Sequence, residues 1–488
     1  MTEKHAIIDI GSNTVRLVVY DGPSRAPAVL LNEKVTAKLG KDVAKNGSLG
    51  EKGMGVALSA LARYAVLLDV MDVGDVEVAA TAAVRDAPNG EEFLDAVRAT
   101  GLRPRLLSGE EEALTSAMGV IAAFPGARGV AADLGGGSLE LTELYGDSCE
   151  HGISVPFGTL RLPDLRAQGA AKFTRKVHGS LRAAKWSSGA DVPLYLVGGS
   201  WRALARYAMH RSDWPLDDPH GYELAPDEAL KLCRTVARGK LAADLPRIST
   251  SRLASLPDAA ALLSALVREI KPSKLIFSSW GLREGLLYRK LDPVTRAQDP
   301  LLASIAGFAE SFNVSAAHAT MIAGWTAELC PQCQGTDEKL RLAATMLALA
   351  AMQIEPNLRV EQAMNWALRK RWIGIDARGR AMLAVAILAN SAITEIPTEI
   401  ASLASPADFK EAIGWGLAVR LCRKLTGCAA EAIADTTLEA SDGRLVVMLR
   451  KAVHPLYSNA VGKDHRLLAE WLELEAAVEL LPKGEKLE

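Results

Sequence analysis

Two short stretches carry the residue types that phosphate chemistry requires. The fuller one reads Asp133-Leu-Gly135-Gly136-Gly137-Ser138-Leu-Glu140, and an echo near the N-terminus reads Asp9-Ile-Gly11-Ser12-Asn13-Thr14. Laid over each other, Asp9 meets Asp133, Gly11 meets Gly135 and Thr14 meets Ser138. Successive glycines let a backbone approach a ligand with no Cβ in the way, and their N–H groups form a concave nest for an anion. The Thr14 and Ser138 hydroxyls add donors. Asp9 and Asp133 end their strands where a carboxylate can hold a divalent cation against phosphate charge. Either stretch alone reads equally well as a glycine-rich hairpin turn. The matched pair points to a phosphate site built from two halves.

Other residues leave two accounts open. In Ser108-Gly-Glu110-Glu111-Glu112, the Ser-x-x-Glu spacing is a helix capping box that accounts for Glu111, and acidic residues suit the positive end of the helix dipole. Glu112 is left over, either as surface charge or as a carboxylate facing the phosphate site. Arg85, ending Thr81-Ala-Ala-Val-Arg85, is a solvated arginine or a planar fork on phosphate oxygens. Gly198-Gly199-Ser200 opens a helix, which is a tight turn or a seat for an anion or a nucleotide edge. Cys330-Pro-Gln-Cys333 has zinc-like spacing without a second pair or a nearby His, so it reads as two incidental thiols at a helix end. Arg369-Lys370-Arg371 reads as a solvated basic face.

The elements that must position these groups follow from periodicity. Each turn sits between an apolar run and an alternating run, a strand–turn–strand unit used twice. Further strands are expected at 29–36, 76–81 and 105–107, and helices at 53–70, 91–99 and 108–123, with 81–86 as a loop. Strand–turn–helix units recur at 194–206 and 275–285. From about residue 301 alanine- and leucine-rich helices dominate. A hairpin centred on Asp442-Gly443 follows, and a helix over 464–480 closes the chain. The 488 residues divide into several domains, and a net charge of −2 gives no indication of a nucleic-acid partner. Six cysteines in so long a chain make no disulfide framework. No leader is recognised and no apolar run reaches membrane-spanning length, so a cytoplasmic protein without membrane insertion is expected.

The chain resembles the exopolyphosphatase / guanosine pentaphosphate phosphatase family, in the wider superfamily of sugar kinases, actin and heat-shock ATPases. The resemblance rests on Asp9–Thr14, Thr81–Arg85, Ser108–Ala113 and Asp133–Glu140, supported by Val197–Ser200 and Ser279–Gly285, and spans about residues 5–290. It implies an α/β fold of two ribonuclease-H-like (actin-like ATPase) lobes at 1–128 and 129–300. An α-helical HD-like domain at 301–430 and a small α+β C-terminal domain at 431–488 would follow. It implies Glu112 as the residue that activates water. Gly11, Ser12, Asn13, Thr14, Arg85, Gly135, Gly136, Gly137 and Ser138 become phosphate ligands. Asp133 and Glu140, with Asp9, become ligands of Mg²⁺ or another divalent cation. The expected substrate is inorganic polyphosphate, with guanosine pentaphosphate as the alternative and a homodimer as the assembly. A nucleotide-dependent kinase or nucleotide-gated binding module of the same superfamily is the distant alternative. One departure stands out: Leu347 and Ala348 occupy the positions of the His-Asp pair that the helical domain would need, and His318 is the only histidine between 301 and 453. No second phosphohydrolase centre is expected there.

Overall fold

The computed structural model describes residues 4–239, 241, 248–329 and 336–481; Cys330 and Cys333 lie outside them. Two compact units are present, Met1–Pro300 and Leu301–Glu488.

The first unit is built from two sheets. In the first, β1 (His5–Ile10), β2 (Val15–Asp21) and β3 (Ala28–Val35) form an antiparallel meander, and β4 (Asp75–Ala80) and β5 (Pro104–Leu106) add in parallel, giving the order β3-β2-β1-β4-β5. In the second, β6 (Arg128–Leu134), β7 (Leu139–Tyr145) and β8 (Cys149–Val155) form the meander. There β9 (Leu194–Val197) and β11 (Leu275–Phe277) add in parallel, with β10 (Glu223–Leu224) antiparallel at the edge. The order β8-β7-β6-β9-β11 thus repeats that of the first sheet. The sequence echo is therefore the visible part of a whole repeated frame. The strands β1 and β6 are central, and their nearly unbroken apolar runs (Ile7, Ile8 and Ile10; Val130, Ala131 and Ala132) are buried, as a strand covered on both faces requires.

Within the repeat, one position differs in sign. Across the first turn Asp9 pairs with Arg16, and across the second Asp133 pairs with Glu140 at the equivalent place.

The helix Gly109–Ala123 carries the chain from the first sheet to the second. It starts as the spacing predicts: the Ser108 hydroxyl accepts from Glu111 N, and the Glu111 carboxylate accepts from Ser108 N. Two expectations change in this unit. Residues 82–85, taken as loop, form a short helix, Ala82–Arg85, which follows directly from β4 as the Val84 and Arg85 amides donate back to the Thr81 carbonyl. The helix Glu51–Val70 has the length and mean hydropathy (1.4) of a membrane-spanning segment, so an apolar run of that length does exist. Its Leu61, Tyr64 and Leu68 are buried in the core of the first lobe, and Tyr64 donates to the Val15 carbonyl.

In the second unit, helices Thr336–Ala351, Ala377–Ala389 and Pro406–Thr426 pack together, and β12 (Thr436–Ser441), β13 (Arg444–Arg450) and β14 (Glu475–Leu481) form a sheet. Leu347 and Ala348 are buried core residues, so neither position offers a metal ligand. The closing segment departs from expectation. The helix spans Asn459–Trp471, Glu473 takes positive φ, and 475–481 turns into β14, parallel to β13 over seven residue pairs. The Glu/Ala/Leu composition favours a helix locally, and edge pairing with β13 overrides it. Lys370 is not a solvated charge either: its ammonium sits over the rings of Phe308 (4.9 Å) and Trp372 (5.0 Å).

Candidate active site

Both glycine turns open onto one cavity in the first unit. Each turn is closed in the same way, Gly11 N donating to Thr14 O at 3.0 Å and Gly135 N to Ser138 O at 3.1 Å. The carbonyls are then held from behind. Gly40 N and Lys38 N donate to the carbonyls of Ser12 and Asn13. Thr159, Leu160 and Gly158 amides donate to those of Gly135, Gly136 and Gly137. With the carbonyl edges engaged on the outside, the opposite amide edges are presented to the cavity, the arrangement an oxyanion needs. The turns also face each other closely. A Cβ on Gly137 would lie 2.7 Å from the Ser12 hydroxyl, and one on Gly158 would lie 2.1 Å from the Gly137 carbonyl carbon. At 158, where the clash is with backbone, only glycine fits.

Of the site residues expected from sequence, Asp9, Gly11, Ser12, Asn13, Thr14, Glu112, Asp133, Gly135, Gly136, Gly137, Ser138 and Glu140 line this cavity. Arg85 is not part of the lining. Its guanidinium pairs with Glu112, donating to Glu112 Oε2 at 2.9 Å and to the Leu107 carbonyl at 3.0 Å.

The carboxylates are crowded and poorly hydrated. Glu112 is buried, and its carboxyl is pushed up to about 7, by burial first; Arg85 opposes the shift, and the charges of Asp133 and Asp9 add to it. Glu140 is raised well above the usual range by burial, then by Glu112 and Asp133. The Ser138 and Ser154 hydroxyls work against this, Ser154 donating at 2.8 Å. Asp133 is raised by burial although Ser116 donates to it at 2.5 Å. Asp9 is raised by burial, with Arg283 and Arg16 holding it down.

Sequence reasoning missed the positive half of the cavity. Arg16, Arg202, Arg252 and Arg283 line it. Arg252 donates to the Ser200 hydroxyl at 3.2 Å and packs over Gly199, where a Cβ would meet it at 2.2 Å. Arg202 donates to the Ser279 carbonyl. Burial and the charge of Arg283 lower the pKa of Arg16. Burial acts in the same direction on Arg283, but the charges around it, led by Glu284, outweigh that and raise it. Arg16 had a signal in the echo itself, seven residues after Asp9 where the other copy has Glu140. Arg252 had none, since only the folded chain brings it to the turns.

The residues also fit a divalent cation of a particular kind. Among the described residues no three His, Cys, Asp or Glu side chains gather into a ready-made cage, while Asp9, Asp133 and Glu140 line the same cavity. Mg²⁺ commonly takes one or two carboxylates and completes its shell with water and substrate phosphate. A pocket of oxygen donors whose own charges repel one another matches that open mode.

The first unit is similar to known proteins. Exopolyphosphatase 1 of Mycobacterium leprae is 28% identical over 302 residues, covering 59% of this chain and 89% of that protein. Retrograde regulation protein 2 of Saccharomyces cerevisiae is 28% identical over 337 residues, covering 61% of this chain; the chain spans only 57% of that relative's length. Among solved structures, the Aquifex aeolicus Ppx/GppA family member is 25% identical with a TM-score of 0.51, over 59% of this chain and 97% of its own. An exopolyphosphatase from Cytophaga hutchinsonii matches with a TM-score of 0.52 at 24% identity, over 59% and 97%, a likeness of fold alone. A family model matches residues 18–293, which is more than half of the chain and takes in the whole second sheet with its glycine turn; β1 and the turn at 11–14 lie just before it. On that match the chain belongs to the Ppx/GppA phosphatase family.

Proposed function

We propose that this protein is an exopolyphosphatase, releasing terminal orthophosphate from inorganic polyphosphate by in-line attack of water. The observation that carries this is Glu112, a buried carboxylate raised to about 7 that faces the same cavity as two amide-presenting turns. A general base works best with a pKa near the operating pH. Phosphoryl transfer asks a protein for position and charge neutralisation more than for covalent chemistry. In this scheme the Gly11–Thr14 and Gly135–Ser138 turns hold the terminal phosphoryl oxygens through backbone amides. Arg16, Arg202, Arg252 and Arg283 balance the charge of the following phosphates. Glu112 orients the water and takes its proton. A Mg²⁺ ion bound through Asp133, with Glu140 or Asp9 beside it, would supply further charge neutralisation at the phosphoryl group.

Guanosine pentaphosphate is the second reading, favoured by the Gly198–Gly199 helix start beside Arg252 on the cavity wall. A cytoplasmic location and a homodimer belong to the same proposal. The test is phosphate release from long polyphosphate, guanosine pentaphosphate and ATP, side by side with Mg²⁺ and with a chelator. Fastest metal-dependent release from polyphosphate is expected, with Glu112→Gln slower by roughly 100-fold or more. Faster turnover of the nucleotide would move the assignment to the second reading. Transfer from ATP to an added acceptor in place of water would indicate a kinase.

A further inference from the structure

Glu112 is held by a chain of ionic contacts that begins on the other side of the cleft. Arg85 Nη1 donates to both Glu112 and the Leu107 carbonyl. Arg85 Nε lies 3.7 Å from Asp86 Oδ1, while the other oxygen of Asp86 accepts from Arg161 Nη2 at 2.8 Å. Arg161 belongs to the second lobe. It ends the segment 158–161, in which the amides of Gly158, Thr159 and Leu160 hold the Gly135–Gly137 turn and Thr159 lines the cavity. A single carboxylate is thus shared by two guanidiniums, one joined to the base and one to the phosphate turn.

We propose that Asp86 and Arg161 are positioning residues that set Arg85, and through it Glu112, against the Gly135–Gly137 turn; this rests on the reading of Glu112 as the base. The side chains of Asp86 and Arg161 are 37% and 29% exposed, and a pair this open adds little to folding. Its value is in placement. Asp86 holds Arg85 by charge across 3.7 Å, too long for a hydrogen bond; the direction comes from Arg85 Nη1 in its planar guanidinium, which donates to Glu112 and the Leu107 carbonyl together. Any movement of the turn as it closes on a phosphoryl group reaches Asp86 through Arg161. Misplacing a reacting group by 1 Å costs on the order of 100-fold in rate, so a contact that is weak for stability has a large kinetic effect.

The experiment compares Asp86→Asn, Arg161→Gln, the double variant, Asp86→Glu and Arg161→Lys in the full chain, with inorganic polyphosphate and Mg²⁺. Each neutral variant is expected to lower kcat about tenfold while KM stays within about twofold. The double variant should be no slower than the worse single one, because both remove the same contact. The charge-conserving variants should recover part of the rate, and melting temperatures should not move. Wild-type kcat in either neutral variant, a loss confined to KM, or losses that multiply in the double variant would overturn the proposal. Glu112→Gln, run alongside, separates the two levels. If it retains activity, the assignment of the base fails. If it is inactive while the neutral variants turn over normally, only the clasp fails.

Discussion

Glu112 shows what an active site costs the protein that carries it. Its carboxyl is ionised near 4.5 when exposed and held to about 7 when folded. The sign follows from proton binding: between those values the folded state keeps a proton that the unfolded state has released. Stability therefore falls as pH rises from about 4.5 to about 7, and the full penalty remains above that range. In the proposed mechanism activity runs the other way, because Glu112 must be ionised to act as base. The acid limb of kcat/KM is expected to have its midpoint near 7. Glu112→Gln should melt a few degrees higher than the wild type at pH 8, with the difference vanishing below about 4.5. Thermal melts across pH check this, and equal melting temperatures at pH 8 would show that the carboxyl is not strained by burial. Glu112 was only partly legible in the sequence. The capping box accounted for Glu111 and left Glu112 over, but nothing local could show its pairing with Arg85. Arg85 was expected on the phosphate, and in the structure its guanidinium pairs with Glu112.

At the scale of elements, the turns were legible because their determinants are local. An Asp at a strand end, a run of glycines and a hydroxyl need no distant partner to be recognised. The Gly158 contact was invisible for the opposite reason, since it depends on a segment twenty residues on meeting the turn face to face. Gly158→Ala is expected to push the Gly135–Gly137 turn from its place, because the new Cβ meets backbone, which has no rotamer with which to yield. A rise in KM of roughly tenfold or more, with a smaller change in melting temperature, is the expected result in steady-state kinetics and thermal melts. The closing segment shows the limit of local propensity. The run Glu475-Ala-Ala-Val-Glu-Leu-Leu481 is a good helix by composition and a strand in fact. The ladder along β13 decides it, and β13 is itself set by the hairpin at Asp442-Gly443 that the sequence did show.

At the scale of the molecule, the chain pairs the unit that holds the cavity with a second, mainly helical one in whose core Leu347 and Ala348 are buried. Removing residues 301–488 is expected to reduce efficiency on long polyphosphate far more than on short, because a polymer gains attraction from charge distant from its reacting end. Lys370 contributes less to this than its sequence suggests, being committed to Phe308 and Trp372, while Arg369 and Arg371 stay exposed. Michaelis kinetics of the 1–300 fragment and the full chain, on two chain lengths at two salt concentrations, check it. Equal loss on both lengths would make the second unit a support for folding alone.

The repeated frame has one more consequence. Two copies of one five-strand order, each with its Asp and its turn, would by themselves enclose a cleft with near-twofold symmetry, in which a phosphate chain would lie equally well in either direction. The position opposite each aspartate breaks that symmetry, being Arg16 in one copy and Glu140 in the other. The cleft thereby acquires an electrical polarity, with Arg16 on the wall of one copy and Glu140, with Glu112 alongside, on the other. In the proposed reading, the end of a phosphate chain entering the cleft meets a guanidinium beside Asp9 and a carboxylate beside Asp133, so its two headings are not equivalent.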